Sequence, residues 1–310
     1  MRREIKKRRV NLATAIHISY LTSHVSHLST MKLIIHGGFF SESQTNQEIK
    51  KAKQEALAEI VKYGYKYLQN HTAVETAVYT VGLLEDNELF NAGTGSQIQS
   101  DGKIRLSASL MDGKTLRFSG VINVEDVKNP ICIAEKLLKL EDRVLSGKGA
   151  KDFARSNGYG YYNPETPQRR WEYDKKLSDS IRLGTVGCVA LDTDGNLAVA
   201  TSTGGKGFEI PGRVSDSATT AGNYANGFAG VSCTGVGEDI VSGAVASNIV
   251  TRVTDGMPIA LATEKTLNAL KPFDGFAGVI GISATGEIYH TDTHPYMVWA
   301  SYDEAVEVFG

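Results

Sequence analysis

Two threonines near the middle of the chain could provide a nucleophile and a neighbouring hydroxyl. Thr185 opens one apolar, β-branched run, Thr203 closes the next, and Asp194-Gly195 lies between them. An Asp-Gly pair between such runs is a strong hairpin signal. A turn centred near Asp194 places Thr185 directly opposite Thr203, where Cβ atoms lie about 5 Å apart. A G1 bulge or a two-residue turn would instead shift the pairing by one position.

A threonine hydroxyl inside a chain is a poor nucleophile, whereas one at a chain start has its own α-amine as a base. That amine titrates near pH 8, against about 10.4 for a lysine, so part of it is neutral at physiological pH. Cleavage between Gly184 and Thr185 would create this arrangement, and glycine tolerates the strained backbone that such a cut requires. A plain buried hairpin explains the same residues without any cleavage.

Other residues could recognise the charged parts of a substrate. The segment Thr234-Gly235-Val236-Gly237 follows a predicted strand, where backbone N–H groups could face a developing oxyanion. A strand-to-helix turn capped by Thr234 is the alternative. Arg213 can hold a carboxylate in bidentate fashion and Asp216 an ammonium, which together suit an α-amino acid. The same two residues could also form only a surface ion pair.

Composition narrows the class of protein. The chain has 310 residues, 41% hydrophobic and 22% charged, with a formal net charge of -2. These values are typical of a soluble globular protein and give no support for a nucleic-acid partner. No run reaches the ~18 apolar residues of a membrane helix. We therefore expect a cytoplasmic protein with a small-molecule substrate.

The three cysteines are too few, and odd in number, for a disulfide framework. Each lies in an apolar run and is predicted to be a buried free thiol, at Cys132, Cys188 and Cys233. Segment 203–207 fails the phosphate-loop pattern, because Ala200 and Gly207 stand where Gly and Ser or Thr are needed.

Residues 1–30 differ from the rest of the chain. Met1 to Arg9 is strongly basic, and no acidic side chain follows before Met31. We expect a disordered extension or a non-native start, with a cleaved targeting segment as the alternative.

The elements that must position these residues are strands that follow helices, without a strict βαβ alternation. Thr72 and Glu75 form a capping box, and residues 157–184 show no sustained period, so we expect a flexible linker or tail there. Helices are predicted at 46–69, 72–84, from Pro130, at 151–156, 240–253 and 258–270. Strands are predicted at 32–36, 108–113, 116–124, 185–191, 197–203, 227–233, 276–283, 287–291 and 296–301, with a hairpin at 97–106.

Taken together, these residues resemble the plant-type L-asparaginase / isoaspartyl peptidase family of N-terminal nucleophile hydrolases. The resemblance runs from Met31 onwards and depends on a few motifs. The most specific are Gly184-Thr185-Val186-Gly187, Thr201-Ser202-Thr203-Gly204-Gly205, Pro211 to Ser217 and Ser232 to Glu238; His36-Gly37-Gly38, Leu89 to Gly95 and Ala108 to Gly113 match on the N-terminal side.

The family implies an α+β fold, a four-layer αββα sandwich with two stacked, mainly antiparallel sheets between helical layers. The precursor would cleave itself between Gly184 and Thr185. An α subunit, residues 31–184, and a β subunit, residues 185–310, would then remain in one structural domain, 31–310. Two such pairs would associate as an (αβ)2 heterotetramer.

The resemblance also implies roles for single residues. Thr185 would attack the side-chain amide or isopeptide carbonyl, Thr203 would tune it, and Asn91 would sit nearby. Thr234 and Gly235 would stabilise the oxyanion. The substrate would be bound by Arg213 at its α-carboxylate and by Asp216 at its α-amine, with Thr234, Gly235 and Gly237 completing the subsite.

No cofactor is required for this chemistry, and a structural sodium ion is implied. The loop from Leu84 to Thr94 resembles the family's sodium-binding stabilisation loop. Its ligands would be backbone carbonyls, at Leu84, Glu85, Asn87, Phe90, Ala92 and Thr94.

The implied activity releases L-aspartate from β-aspartyl dipeptides and from L-asparagine. A glycosylasparaginase is the first alternative, but Leu183-Gly184 before the threonine and the small number of cysteines argue against it. A protease of the taspase kind is a weaker one. An uncleaved binding or scaffold protein with the same fold is a third, against which the intact set of site residues argues.

Overall fold

Two β-sheets stacked face to face form the centre of the protein. The computed structural model describes residues 31–39, 47–175, 184–273, 276–294 and 297–309. One sheet has the strand order β12-β11-β1-β5-β6-β2-β3-β4 and the other the order β10-β9-β8-β7. Neighbouring strands are antiparallel except for β3 and β4. The strands are β1 Lys32–Phe39, β2 Leu106–Asp112, β3 Arg117–Val124, β4 Val144–Ser146, β5 Thr185–Leu191, β6 Leu197–Thr203, β7 Asn223–Ala225, β8 Ala229–Gly235, β9 Ala277–Ser283, β10 Ile288–Asp292, β11 Met297–Asp303 and β12 Ala305–Phe309.

Helices cover the outer face of each sheet. The first three pack on the eight-stranded sheet, and the last two pack on the four-stranded sheet. The described chain is thus a four-layer αββα sandwich, which confirms the α+β fold that the sequence predicts. The helices are α1 Gln47–Leu68, α2 Ala73–Glu85, α3 Pro130–Leu138, α4 Gly147–Ser156, α5 Pro167–Asp174, α6 Gly237–Ser242, α7 Val245–Thr254 and α8 Ile259–Asn268.

Alternation along the strands divides the buried residues between layers. On β1, Leu33 and Ile35 pack in the core beneath α1 to α3, whereas Ile34 packs in the core between the sheets. Successive side chains of a strand point to opposite faces, so a strand in an inner layer must be apolar on both. This arrangement leaves the ends of the strands as the place where polar side chains can meet a pocket.

The hairpin of β5 and β6 has the predicted register. Thr185 pairs with Thr203, and Leu191 pairs with Leu197. At the turn, the Asp192 N–H donates to the Asn196 carbonyl at 3.0 Å. The Asp192 carboxylate accepts the N–H groups of Asp194 and Asn196, at 3.1 and 2.8 Å. The prediction that Thr185 faces Thr203 is therefore confirmed, and the shifted register does not occur.

The predicted capping box is also present. The Glu75 N–H donates to the Thr72 hydroxyl at 3.2 Å, and the Thr72 N–H donates to the Glu75 carboxylate at 2.9 Å. These reciprocal bonds satisfy backbone donors that the first turn of a helix leaves free. The cap fixes where α2 begins, and the last turn of this helix leads directly into the loop from Leu84 onwards.

Two predicted elements differ from the structure. The predicted helix 240–253 is interrupted, because Ala244 has a φ of 43° and joins α6 to α7. The predicted hairpin 97–106 keeps only its turn, where the Gln99 N–H donates to the Lys103 carbonyl at 2.8 Å. Its flanks bond instead to the loop before Arg213, at Phe208 and Glu209. Both differences arise from contacts with distant parts of the chain.

The interpretation of residues 157–184 as a linker without regular structure is wrong for its first part. Residues 167–174 form α5, which Thr166 caps by accepting the Arg169 N–H at 3.3 Å. The Arg169 side chain donates to the Gly95 carbonyl, and the Tyr159 hydroxyl donates to the Cys132 carbonyl. Because these contacts are polar, apolar residues do not recur at a regular spacing in this segment of the sequence. Residues 176–183 and the predicted extension 1–30 lie outside the described residues.

Candidate active site

The Thr185 side chain lies between two other hydroxyls. Its Oγ1 donates to the Thr203 Oγ1 at 3.3 Å and is 3.2 Å from the Ser217 Oγ. The Gly205 N–H donates to the Thr203 Oγ1 at 3.1 Å. Thr185 is 8% exposed, so its hydroxyl is accessible only from one small pocket.

That pocket is formed by four separate stretches of the chain. They are the start of β5, the end of β6 with the loop that follows, the segment before Asp216, and the end of β8 with the start of α6. The lining residues are Gly184, Thr185, Thr203, Gly205, Lys206, Arg213, Ser215, Asp216, Gly235 and Gly237. Seven positions predicted from the sequence are thus brought together: Gly184, Thr185, Thr203, Arg213, Asp216, Gly235 and Gly237.

Arg213 pairs with a residue that the sequence analysis left without a role. Its Nε and Nη2 donate to the two carboxylate oxygens of Glu238, at 2.7 and 2.8 Å. Hydrogen bonds from Arg213 lower the pKa of Glu238 to about 2. The alternative of a surface ion pair between Arg213 and Asp216 is therefore wrong, because Glu238 takes that place. A guanidinium has five N–H donors, so three remain for a ligand.

Asp216 lies beside this pair and is buried, although it lines the pocket. Burial raises the pKa of its carboxyl to about 7, although the charge of Arg213 acts in the opposite direction. Its Oδ2 accepts no hydrogen bond from the part of the chain that the structure describes. A cationic group entering the pocket would give this carboxylate the partner that the protein does not supply.

Two glycines shape the side of the pocket opposite Thr185. Gly235 has a φ of 136°, and a Cβ at this position would overlap the Phe276 carbonyl oxygen. A Cβ at Gly237 would lie 2.8 Å from the Asp216 Oδ1 and 2.9 Å from the Arg213 Nη2. Only glycine therefore allows the chain to pass this closely to both charged groups.

Thr234 and Asn91 lie behind the pocket lining. The Thr234 side chain is fully buried, and its hydroxyl makes no hydrogen bond with other described residues. The Asn91 Nδ2 donates to the Gly205 carbonyl, and its Oδ1 accepts the Gln97 N–H at 2.9 Å. A Cβ at Gly184 would lie 2.8 Å from the Asn91 Cβ. Asn91 thus packs directly against the residue before Thr185.

Ser217 is the residue that sequence reasoning missed. It lies in a 3₁₀ turn, Asp216–Ala218, and is fully buried. Its carbonyl accepts the Ser109 hydroxyl at 2.6 Å, and Ser109 in turn accepts the Asn223 Nδ2 at 2.9 Å. These contacts hold the turn so that the Ser217 hydroxyl meets Thr185. Its signals in the sequence are its position directly after Asp216 and its place in the motif Pro211 to Ser217, in which it was given no role.

The loop after α2 closes on itself. The Thr94 N–H donates to the Glu85 carbonyl at 2.8 Å, and the Phe90 N–H donates to the Asn87 carbonyl at 3.1 Å. Gly93 and Gly95 turn the chain with φ values of 55° and 84°. The predicted carbonyl ligands lie within this closed loop. Carboxylate, imidazole and thiol groups do not cluster as metal ligands in the described residues.

A hydroxyl nucleophile beside the guanidinium of Arg213 and the buried carboxylate of Asp216 can attack a carbonyl of an amino-acid substrate.

Comparison with known proteins agrees with this chemistry. A family model described as asparaginase matches residues 29–308. An isoaspartyl peptidase/L-asparaginase from Synechocystis sp. is 43% identical over 289 residues, 87% of each chain. A plant-type L-asparaginase from Pyrococcus horikoshii is 35% identical over 299 residues, 89% of this chain and 97% of its own. The isoaspartyl peptidase of Escherichia coli is 34% identical over 281 residues, 83% of this chain and 88% of its own. The chain therefore belongs to the asparaginase family of hydrolases, as its motifs predicted.

Proposed function

We propose that this protein hydrolyses β-aspartyl dipeptides and L-asparagine and releases L-aspartate. The observation that carries the proposal is the position of the Thr185 hydroxyl, between Thr203 and Ser217, in a pocket that also holds Arg213 and Asp216. The nucleophile and the groups for an α-amino acid head therefore share one small cavity. The names of the relatives support the same substrates.

Recognition of the substrate follows from the two charges. The free N–H groups of Arg213 bind the α-carboxylate, and Asp216 binds the α-ammonium. With both groups held, the side-chain carbonyl of an aspartyl or asparaginyl residue faces Thr185. Gly237 keeps this subsite open, because a side chain there would overlap the approach to both charged residues.

The reaction proceeds through an ester. The Thr185 Oγ1 attacks the carbonyl carbon while its proton passes to the α-amine that cleavage after Gly184 exposes. Thr234 and Gly235 stabilise the oxyanion. The C–N bond then breaks, and the leaving amine takes the proton. Water hydrolyses the ester to free L-aspartate and restores Thr185.

Activation requires cleavage between Gly184 and Thr185. Asn91 packs against Gly184, and its amide holds the loop at Gly205 on the other side of the pocket. These contacts support a role of Asn91 in orienting the bond that breaks. The products are the α subunit, 31–184, and the β subunit, 185–310, which assemble as an (αβ)2 heterotetramer.

A sodium ion in the loop from Leu84 to Thr94 completes the proposal. A carbonyl oxygen that accepts one N–H keeps a second lone pair for an ion. All six proposed carbonyls belong to the loop that the Thr94–Glu85 bond closes, and oxygen is the ligand atom that hard cations prefer. The ion would stabilise the loop and take no part in the chemistry. A melting temperature that does not change when choline replaces sodium would contradict this site.

The cytoplasmic location stays a prediction. Among the helices in the described ranges, none has the length and apolar character to cross a bilayer.

Intact mass spectrometry with an activity assay tests the proposal. We expect two fragments that meet between Gly184 and Thr185 after incubation of the purified protein. We also expect released L-aspartate from a β-aspartyl dipeptide. A single uncut chain with no hydrolysis would contradict the proposal and favour the scaffold alternative.

A further inference from the structure

A second row of polar side chains lies between the sheets, beneath the row that contains Thr185. His36 on β1, Thr201 on β6 and Ser232 on β8 are all fully buried. The His36 Nε2 is 3.0 Å from the Ser232 Oγ, which is 2.8 Å from the Thr201 Oγ1. None of these side chains belongs to the pocket lining. The mechanism described above does not use them.

Strand register places this row next to the nucleophile. Gly187 pairs with His36 on one side and with Thr201 on the other, just as Thr185 pairs with Thr203. Gly187 follows Thr185 by two residues, so both point to the same face of the sheet. A Cβ at Gly187 would overlap the Ser232 Oγ and the His36 Nε2. The glycine therefore opens the space in which the three side chains meet.

The row connects the two sheets that carry the proposed catalytic residues. Thr185 and Thr203 belong to the eight-stranded sheet, whereas Gly235 belongs to β8 of the four-stranded sheet. Ser232 lies on β8, two residues before Thr234, and bonds to both His36 and Thr201 of the opposite sheet. Asn223 on β7 also bonds across the sheets, to Ser109 on β2, whereas the contacts of Ile34 and Ile280 between the sheets are apolar. Apolar contacts hold two sheets together without a directional preference, whereas hydrogen bonds fix both distance and angle.

Burial keeps the row uncharged. It lowers the pKa of His36 to about 3, so the imidazole is neutral in the range where the enzyme would work. A neutral imidazole and two hydroxyls can share hydrogen bonds without the cost of a buried charge. The row is therefore suited to a structural task with no proton transfer of its own.

We propose that His36, Thr201 and Ser232 form a positioning unit that sets the offset between the nucleophile Thr185 and the oxyanion site at Thr234 and Gly235. The inference rests on the proposed function, in which the nucleophile on one sheet and the oxyanion site on the other act in the same reaction. Misplacement of reacting groups by about 1 Å can cost about 100-fold in rate. Loss of the unit should therefore lower kcat while KM, which depends on Arg213 and Asp216, changes little.

The test compares Thr201→Val, which removes the hydroxyl at nearly constant volume, with Thr201→Ser, which keeps it. We measure kcat and KM for a β-aspartyl dipeptide and the melting temperature. We expect at least about a tenfold loss of kcat for Thr201→Val, a KM within about twofold, and near wild-type values for Thr201→Ser. Thr76→Val is the matched control, because the buried Thr76 hydroxyl makes no hydrogen bond with other described residues.

Ser232→Ala provides a second variant from the opposite sheet, should Thr201→Val not fold. It should give the same split between kcat and KM, and the double variant should lose no more than the worse single variant, because the residues act as a unit. Wild-type kcat in Thr201→Val, or an equal loss in Thr201→Ser, would overturn the inference. An inactive wild-type enzyme would instead refute the proposed function, so the two failures are distinguishable.

Discussion

The Ser217 Oγ lies 3.2 Å from the Thr185 Oγ1, slightly closer than the Thr203 Oγ1 at 3.3 Å. Thr203 reaches this place through sheet pairing, whereas Ser217 reaches it from a 3₁₀ turn in a distant loop. The Thr185 hydroxyl, the proposed nucleophile, is thus contacted by two hydroxyls that belong to separate elements. Because Ser217 directly follows Asp216, the same turn positions one group for the nucleophile and one for the substrate.

Ser217→Ala should lower kcat/KM by about 10- to 100-fold, since a hydrogen bond to the reacting oxygen is lost. Steady-state kinetics on a β-aspartyl dipeptide check this. Thr251→Ala at an exposed position of α7 is the control and should match wild type. Full activity in Ser217→Ala would show that Thr203 alone orients the nucleophile.

Thr185→Ala should leave the chain uncleaved and without measurable hydrolysis, because no other hydroxyl occupies the first position of β5. Gel analysis and intact mass report the cleavage. Thr185→Ser keeps a hydroxyl and should retain slow processing. Rapid processing in the alanine variant would show that Thr185 is not the nucleophile.

Arg213→Lys should raise KM and lower kcat/KM by at least about 100-fold, or about 3 kcal/mol. A lysine has no planar fork, so it cannot hold Glu238 and a substrate carboxylate at once. Kinetics with L-asparagine measure the change. A KM equal to that of wild type would indicate that the α-carboxylate binds elsewhere.

Asp216 should impose a pH dependence on kcat/KM. Its pKa is raised to about 7 by burial, so the carboxyl is protonated below this pH and cannot pair with the substrate ammonium. The Thr185 α-amine, which titrates near pH 8, is also protonated in this range, so we expect kcat/KM to fall by more than about tenfold per pH unit below pH 7. Glu238, with a pKa of about 2, and Arg213 do not titrate in this range. A flat profile between pH 5 and pH 7 would contradict the assignment.

The same pKa shift makes a prediction for stability. Between its ordinary value near 4 and about 7, Asp216 binds a proton in the folded state but not in the unfolded state. The contribution of Asp216 to the free energy of unfolding is therefore present at low pH and is lost as the pH rises through 7. Denaturant titrations of wild type and Asp216→Asn at pH 4 and pH 8 measure it. The difference between the two proteins should change with pH, and a constant difference would argue against the shift.

Local structure was largely predictable from the sequence, because it depends on neighbours along the chain. The capping box at Thr72 and Glu75 and the register of Thr185 with Thr203 are set within a few residues of a helix start or a turn. Helix α1 was predicted at 46–69 and extends over Gln47–Leu68, since its buried residues recur with the helical period. The end of the chain was predicted less well, because Glu304, with a φ of 62°, forms the tight turn between β11 and β12 without a glycine to mark it.

The pairing of distant groups was decided only by the tertiary structure. Arg213 could have paired with Asp216, three residues away, but the start of α6 presents Glu238 to it. Ser217 carries no signal of its own until the four-layer packing brings its turn to Thr185. A sequence pattern determines which face a residue occupies, and here it determined the β5–β6 hairpin. The α+β sandwich was predicted from the resemblance of the motifs to a known family. Which faces meet depends on sheet order and layer packing, and both are set by contacts between residues far apart in the chain. The geometry of the pocket was therefore decided by the tertiary structure.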